Sequence, residues 1–507
     1  MSESRSEAPE SANTNATTQA PESQALQRKL KSRHLTMIAM GGAIGTGLFV
    51  ASGEVVSTAG PGGAVLAYAI IGAMVYFLMQ SLGEMAALIP ENGSFAEYAR
   101  RFISPSFGFA MGWNYWFNWA VTVATEIVAA GIIMKFWLPD VPSWIWSAIF
   151  LVLLFTLNAL SVRFYGESEF WFASIKVVTV IVFIVLGVLV ILGIFGGESV
   201  GFQNWTEGEA PFVGGFMGIF AVILVAGFSF QGTEMLGIAA GETENPTKAI
   251  PKATRQVFWR ILLFYVLAIA IIGFLIPYTD PNLLRSDVSD IAVSPFTLVF
   301  EKVGIAAAAS VMNAVILTAI LSAGNSGLYV SSRVFHALAT QGQAPKAIAV
   351  TNKRGVPMRA LIVATAVASI CFISSLIGDG DAYIMLVNIS GFTGFICWLG
   401  IAWTHWRFRR AFLAQGHSLD ELPYRAKFFP AGPIIAMVMC AIVIVFQNMG
   451  VELSLENWMS FTPYLGLLVF VALWVGYRLA RREKMVPLED ADFSDARFMS
   501  RHCEPAV

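Results

Sequence analysis

Ionisable side chains are rare within the long apolar stretches of this 507-residue sequence. Lys176 lies a short way into one stretch, Glu126 lies deep in another, and Glu234 directly follows a glycine-rich interruption of a third. A charged side chain at the centre of a bilayer costs at least ~2.5 kcal/mol unless it is paired or hydrated. Each of these residues therefore needs a partner. An amine or a carboxylate in such a place can exchange a proton or bind an oppositely charged ligand.

Each of these residues also has a purely structural interpretation. A lysine near a helix end can extend its ammonium back to the interface, which would explain Lys176. Glu234 is placed to cap a helix N-terminus, where the dipole favours a carboxylate, although we favour a functional role. Glu126 is equally compatible with a hydrogen-bonded structural carboxylate. Glu84 and Glu242 lie near the ends of their stretches, which favours an interfacial or gating role over ligand binding.

No set of residues in the sequence has the spacing of a catalytic or metal-binding motif. The five histidines and four cysteines form no triad, CxxC pair or metal-spaced pair, and the GxxxxGK[ST] motif of ATP-driven pumps is absent. One dense aromatic group either packs or lines a cavity: Trp113, Tyr115, Trp116 and Trp119. The sequence therefore predicts no enzyme, no metal site and no cofactor.

The composition indicates an all-α membrane protein. Hydrophobic residues make up 56% of the chain, charged residues 13%, and the mean hydropathy is +0.66. At ~20 residues per span, about twelve helices account for the length. The apolar runs lie near residues 35–57, 63–88, 107–134, 143–161, 167–194, 213–240, 258–277, 303–338, 357–377, 382–406, 430–448 and 461–480. The eighth run is too long for one span, so residues 328–340 are expected to continue as a cytoplasmic helix.

Basic residues predict the orientation of these spans. An even number of spans puts both termini on one side, and loops rich in lysine and arginine stay in the cytoplasm. Of the 32 basic residues, only Lys135, Arg285 and Lys302 fall in outer loops, and only Lys176 falls inside a span. Both termini are therefore predicted to be cytoplasmic. The net charge of −2 gives no reason to expect a nucleic-acid partner.

Two apolar stretches are interrupted by glycine-rich segments. The first stretch contains the run from Gly41 to Gly47, and the sixth contains the run from Gly227 to Glu234. Glycine costs about 1 kcal/mol of helix propensity relative to alanine, so both segments are candidates for unwinding. Unwound backbone is tolerated at membrane depth where it faces protein or a wet cavity, and its freed N–H and C=O groups can bind an amino acid. The alternative is that these glycines only allow close helix packing.

The positions of the two interrupted helices favour unwinding. Numbers one and six are matching members of two five-helix halves, which is typical of an inverted repeat. A dinucleotide-binding loop is excluded because the first run lacks the GxGxxG spacing and no βαβ pattern surrounds it. A channel would instead need a ring-lined pore, usually built by oligomeric symmetry. These features favour a secondary transporter with alternating access.

Several motifs resemble those of the amino-acid permeases in the amino acid, polyamine and organocation superfamily. They are His34-Leu35-Thr36-Met37-Ile38-Ala39 with the glycine run after it, Gly112-Trp113-Asn114-Tyr115-Trp116, Gly227 to Glu234, Asn245-Pro246 with Ile250-Pro251, and Ser322-Ala323-Gly324-Asn325-Ser326-Gly327. The resemblance covers roughly residues 28–480. It implies a LeuT-like fold, the five-plus-five inverted repeat with discontinuous helices 1 and 6 that sodium-coupled amino-acid transporters share.

This fold implies a transmembrane domain over residues 34–480. It would comprise repeat one at about residues 35–194, repeat two at about 213–406, and helices eleven and twelve, outside the repeat, at about 430–480. Residues 1–33 would form a disordered cytoplasmic tail and residues 481–507 a second cytoplasmic tail. The expected location is the lipid bilayer of a bacterial inner membrane.

Three stretches resemble the bacterial members of this superfamily that carry lysine. They are Phe228 to Glu234, Arg255-Gln256-Val257-Phe258-Trp259-Arg260 and Ile276-Pro277-Tyr278-Thr279-Asp280-Pro281. The resemblance implies import of L-lysine together with protons. Another cationic or neutral amino acid is the alternative substrate, and a non-transporting amino-acid sensor is a third interpretation. The resemblance also implies that Lys176, on helix five, replaces the ion of sodium-coupled relatives and couples protons to transport.

A lysine molecule in a dehydrated cavity needs a partner for each of its three charges. Its carboxylate is expected at freed N–H groups, those around Gly45, Thr46 and Gly47. Its α-ammonium is expected at freed carbonyl groups, those near Ala43 and those of Phe228, Ser229 and Phe230.

The side-chain ammonium of the substrate calls for a carboxylate, because a charge pair in an effective dielectric near 20 is worth up to about 4 kcal/mol. Glu234 is the first candidate and Glu126 the second. Gln231, Ser326 and Thr393 are expected to form the polar wall of the site.

Overall fold

The computed structural model describes residue 37 and residues 44–91, 93–160, 162–194, 199–243, 245–283, 294–302, 306–446 and 462–497. Its helices are α1 (Gly47–Leu88), α2 (Ser94–Phe102), α3 (Pro105–Met134), α4 (Ser143–Leu160), α5 (Val162–Ile191), α6 (Gln203–Thr206), α7 (Gly215–Phe228), α8 (Met235–Ala239), α9 (Pro246–Leu275), α10 (Pro295–Lys302), α11 (Ala306–Thr340), α12 (Met358–Ile377), α13 (Asp379–Ala414), α14 (Ala431–Phe446) and α15 (Thr462–Arg481). These residues contain no strand.

The helices confirm the prediction of an all-α, multi-pass membrane protein. Among the described residues, eight helices are long and apolar enough to cross a membrane, and the apolar helices α7 and α14 are shorter. The helices occur in the order of the expected spans. The helix α1 contains the first two spans, and α7 and α8 together form the sixth. The continuous course of α11 to Thr340 agrees with the helix expected over residues 328–340.

A sharp bend divides α1 into two spans. Gly60 has a positive φ of 74°, which a glycine adopts without strain, and Pro61 begins the second half. The bend exposes N–H groups at the start of this half, and the carbonyl of Pro211 accepts from the N–H groups of Gly62 (2.9 Å) and Gly63 (3.1 Å). The loop before α7 therefore satisfies backbone groups that the bend would leave without partners.

Matching spans of the two halves pack together. The third and fourth spans, α3 and α4, pack against the eighth and ninth, α11 and α12, and all four helices contact one another. The paired spans of α1 pack against α7 and α9, which are the sixth and seventh spans. Each group thus combines equivalent helices from the two halves, as an inverted repeat requires.

The sixth span is interrupted where the sequence predicts. The helix α7 ends at Phe228, six residues form turns, and α8 begins at Met235. Gly232 lies in these turns with a φ of 96°. In the first span, Ile44 and Gly45 are non-helical and precede the start of α1. Gly41, Gly42 and Ala43 lie outside the described residues.

A segment near the C-terminus, residues 486–497, folds back onto one end of the bundle, and we refer to it as the C-terminal clasp. Its backbone donates from Val486 N–H to Ile103 (2.9 Å) and from Arg497 N–H to Leu88 (2.8 Å). The ring of Phe493 packs against three aromatic rings, those of Phe102, Phe408 and Phe412. The two predicted tails otherwise fall outside the description, at residues 1–33 and 498–507.

Charges reinforce the clasp. Arg101 donates to Glu97 (2.7 Å) of its own helix and to Asp495 (2.8 Å) of the clasp. Burial alone would lower the pKa of Arg101, but the hydrogen bonds to Glu97 and Asp495 raise it above its ordinary value. The clasp is therefore held by an apolar ring cluster and an ionic pair together.

Candidate functional site

Glu126 of α3 lies where the interrupted first span meets α3 and α11. Its Oε2 accepts from the N–H of Thr46 at 3.3 Å, and the side chain is buried. A methyl group at Gly45 would lie 2.6 Å from Glu126 Oε1 and 2.9 Å from Ala323 Cβ of α11. Glycine at position 45 therefore allows the close approach of the carboxylate to the start of α1. The dipole of this half-helix favours the negative charge of Glu126 at that place.

The two interrupted segments touch each other at Gly47 and Ser229. A methyl group at Gly47 would overlap the Cα of Ser229, so the backbones approach more closely than any other residue would permit. The first-span glycines therefore do serve close packing, which was the alternative to unwinding. The two interpretations are compatible, because the non-helical residues Ile44 and Gly45 lie just before the packed start of α1.

Two tyrosines that the sequence analysis did not select contact the same segments. Tyr68 Oη lies 2.8 Å from Ser229 Oγ and donates to the carbonyl of Gly47 at 3.4 Å. Tyr383 Oη donates to the carbonyl of Thr46 at 3.4 Å. Carbonyl groups at the start of α1 are thus within reach of hydroxyl groups from α1 itself and from α13.

Lys176 is fully buried and does not extend to the surface, contrary to the interfacial alternative. Its Nζ lies 4.0 Å from Oε1 of Glu169, one of its charge partners, and Glu169 is also fully buried. Ser322 of α11 donates to the other oxygen of Glu169 at 2.8 Å. Lys176 also interacts electrostatically with Glu126. The amine therefore interacts with two carboxylates, one on α5 at 4.0 Å and one on α3 through its charge.

Glu234 has a different environment. Its Oε1 accepts from Tyr115 Oη and from the N–H of Gly232, and its Oε2 accepts from Trp398 Nε1, each at 3.2 Å. The carboxylate binds the turn before α8 rather than capping that helix in the usual way. Its charge interacts with that of Arg260, which is 2% exposed within α9. Arg260 is thus a buried cation on the helix next to the second interruption.

Gln231 and Thr393 belong to one polar network between the sixth span, α3 and α13. Gln231 Nε2 donates to the carbonyl of Ser390 at 2.8 Å. Asn118 donates to Thr393 Oγ1 at 2.8 Å and to the same Ser390 carbonyl at 2.6 Å. Ser390 Oγ in turn donates to Gln231 Oε1 at 3.0 Å. The network shares the sixth-span turns with Glu234 but is separate from the Lys176 group.

The remaining predicted residues lie either beside Lys176 or around the sixth-span turns. Ser326 is buried on α11 and hydrogen-bonds with Glu169, so it belongs with Lys176. Phe228 is buried at the end of α7, while Phe230 stacks on Tyr265 with ring centroids 4.2 Å apart. The expected polar wall is therefore divided, with Ser326 on one side and Gln231 with Thr393 on the other.

Glu84 lies away from both groups, near the C-terminal end of α1. Its carboxylate accepts from Arg409 Nε of α13 at 2.6 Å and lies 3.2 Å from His405 Nε2. Ala426 N–H donates to it at 2.5 Å. This buried ionic cluster links α1 to α13, and the interfacial or gating role of Glu84 stays a prediction. The side chain of Glu242 lies outside the described part of the structure.

Among the described residues, no group of three or more His, Cys, Asp or Glu side chains is arranged to hold a metal ion. The arrangement can instead bind a charged organic molecule at the two interrupted segments and move a proton along the Lys176 group. Sequence reasoning missed Glu169 because it lies near the start of its span. Its spacing from Lys176, two helical turns on the same face, was the signal that could have found it.

The chain is similar in sequence to several permeases. The chain is 56% identical over 482 residues to the lysine-specific permease of Escherichia coli K12, covering 94% of this chain and 98% of that one. It is 51% identical to the lysine-specific permease of Lactococcus lactis, covering 92% and 93%. It is also 48% identical to the histidine permease of the same bacterium, covering 92% and 98%.

The fold is similar to that of a solved transporter. A manganese transporter of Eremococcus coleocola superimposes with a TM-score of 0.54 at 14% identity, covering 89% of this chain and 94% of that one. A sequence model described as amino acid permease matches residues 34–488. This match to a family of transporters confirms the prediction that the chain is not an enzyme, and it shows that the chain belongs to the amino acid permease family.

Proposed function

We propose that this permease imports L-lysine across the inner membrane of a bacterium, together with protons and by alternating access. The single observation that carries the proton coupling is the buried Lys176, whose amine lies 4.0 Å from Glu169. An unpaired charge at this depth would be costly, whereas a group that gains and loses a proton during transport has a reason to be there. The choice of lysine is supported by the names of relatives at 56% and 51% identity.

The substrate site lies at the two interrupted segments. Glu126 accepts from the N–H of Thr46, where the substrate carboxylate would bind. Entry of lysine displaces Glu126 from Thr46 and leaves it free to pair with Lys176. The α-ammonium meets carbonyl groups of the sixth-span turns and near Ala43. In this way the binding of lysine changes the charge beside Lys176.

Glu234 is the proposed partner of the substrate's side-chain ammonium. Its four described hydrogen-bond donors, Tyr115, Thr233, Trp398 and the backbone of Gly232, are neutral, so a cationic ligand adds an attraction that they do not supply. The aromatic rings beside it give the lysine side chain an apolar path.

Uptake of radiolabelled lysine into proteoliposomes, with proton and sodium gradients imposed separately, tests this function. We expect an inward proton gradient to drive accumulation and sodium to have no effect. Strict dependence on sodium would contradict proton coupling. Omitting all gradients while loading unlabelled lysine inside measures exchange, which does not depend on the driving ion.

The histidine permease at 48% identity favours a second candidate substrate, another amino acid with a basic side chain. Competition of labelled lysine uptake by histidine, arginine and ornithine distinguishes the two candidates. Inhibition by histidine at lower concentrations than unlabelled lysine would favour histidine as the substrate.

Both termini are proposed to be cytoplasmic. A cysteine label at Val507 should react only from the cytoplasm, and one at Ser286 only from outside. Equal reaction of the two positions in intact cells would refute this orientation.

A further inference from the structure

We propose that Glu169 is the proton exit site of the transport cycle, the carboxylate that takes the proton from Lys176 and releases it towards the cytoplasm. This inference deepens the proposed function and rests on its proton coupling. It assigns a task to a buried acid that neither the sequence analysis nor the substrate site uses.

The position of Glu169 suits an exit site. It lies two turns before Lys176 on α5, about 10 Å along the helix axis, on the same face. In the proposed orientation α5 runs outward, so Glu169 lies on the cytoplasmic side of Lys176. Glu126, the other carboxylate beside Lys176, is instead engaged with Thr46 at the substrate site. The amine thus has one acid on the substrate side and one on the exit side.

The hydrogen bonds of Glu169 leave one oxygen directed at the amine. Ser322 donates to Oε2 at 2.8 Å, and Oε1 is the atom that lies 4.0 Å from Lys176 Nζ. Ser326 of α11 is a further hydrogen-bonding neighbour of Glu169. Among the described residues, Glu126 from α3 and the two serine hydroxyls from α11 face this pair.

The step is a single proton transfer. One N–H bond of the Lys176 ammonium breaks, an O–H bond forms at Glu169 Oε1, and the ammonium and carboxylate become a neutral amine and a carboxylic acid. The 4.0 Å separation exceeds a hydrogen bond, so a small rotation of either side chain brings the atoms together. The neutral pair avoids the cost of keeping two charges in a dry interior. Opening towards the cytoplasm then lets water take the proton from Glu169.

The test is lysine-dependent proton entry into proteoliposomes that contain a pH-sensitive dye, compared with lysine exchange in the same preparation. Glu169→Gln keeps the size of the side chain and its bond to Ser322 but carries no exchangeable acid. We expect its proton entry to be at least ~10²-fold slower than in the wild type, in the range of an acid–base group. Exchange, which needs no net proton movement, should fall far less. The control is Val178→Ala on the exposed face of α5, which should change neither measurement.

Glu169→Asp provides a second variant that keeps the acid and moves it away from the amine. We expect proton entry to slow more than lysine exchange, whereas a merely structural role for Glu169 would slow both measurements alike. Proton entry at the wild-type rate in either variant would overturn the inference while leaving proton-coupled lysine transport intact. Absence of proton entry in the wild type itself would overturn the proposed function, and the inference with it.

Discussion

Both interrupted helices of this permease contain a non-helical break, but the charged side chains around the two breaks differ. At the first break, carboxylates surround an amine, because Glu126 and Glu169 both face Lys176. At the second break, one carboxylate, Glu234, accepts its described hydrogen bonds from neutral groups such as Tyr115 and Trp398. The first arrangement can neutralise itself by moving a proton between its members. In the second, the carboxylate already interacts with the charge of Arg260, and the proposed substrate would add a second cation.

From this difference we infer that the two halves of the repeat have separate functions. The first break would convert proton movement into a change at the start of α1, while the second would recognise the substrate. The contact between Gly47 and Ser229 joins the two breaks directly. The following experiments test whether proton coupling and recognition can be separated in this way.

Loss of the amine at the first break should have the largest effect. Lys176→Ala removes the only cation between Glu126 and Glu169 among the described residues, so a proton gradient no longer has a group to act on. We expect proton-driven accumulation to disappear at zero membrane potential, with some lysine exchange retained. Ile175→Ala, on the exposed face of the same helix, is the matched control. Normal accumulation by Lys176→Ala would show that the first break does not couple protons to transport.

Loss of the charge at the second break should weaken binding instead. Hydrogen bonds to charged groups contribute about 1.5–3 kcal/mol, so Glu234→Gln should bind lysine roughly 10- to 100-fold more weakly while remaining folded. Calorimetric titration measures this. Norleucine, which lacks the side-chain ammonium, serves as the control ligand and should bind wild type and variant alike. Equal affinity for lysine would mean that Glu234 only holds the turn and that Glu126 or another group binds the ammonium.

The contact between the breaks is steric, and a methyl group tests it. Gly47→Ala places a Cβ against the backbone of Ser229, which cannot be relieved by a side-chain rotation. We expect a destabilisation of about 1–3 kcal/mol and slower transport. Gly476→Ala is the control because nothing lies within 4 Å of its added methyl group. Equal melting temperatures of the two variants in detergent would show that the breaks do not touch.

The turn at the second break should be the least sensitive of these positions. Gly232→Ala must adopt a φ of 96°, which costs an L-residue about 1–2 kcal/mol. We expect a lowered melting temperature with proton coupling unchanged, measured as protons moved per lysine. A change in this ratio would indicate that the second break also takes part in coupling.

The sequence predicted which helices are interrupted, but it did not predict which side chains contact the interruptions. Glycine runs in helices one and six predicted both interruptions, because glycine weakens helices wherever it clusters. The sequence analysis did not identify Glu169 as a partner of Lys176, because Glu169 lies close to a helix end. Periodicity places a residue on a helix face but does not tell which neighbouring helix that face meets. The contacts of Tyr68, Tyr383 and Trp398 with the breaks could not be predicted for the same reason, because these residues lie on other spans.

The C-terminal clasp gives this permease a natural position for an optical probe. Residues 486–497 bind to Ile103 and Leu88 on one side and pack Phe493 against Phe408 of α13 on the other. Any movement that separates these helix ends must stretch or release the clasp. A fluorophore at the exposed Ser494 would then change its surroundings when this end of the bundle opens. Such a probe would follow individual transport cycles without a label inside the membrane.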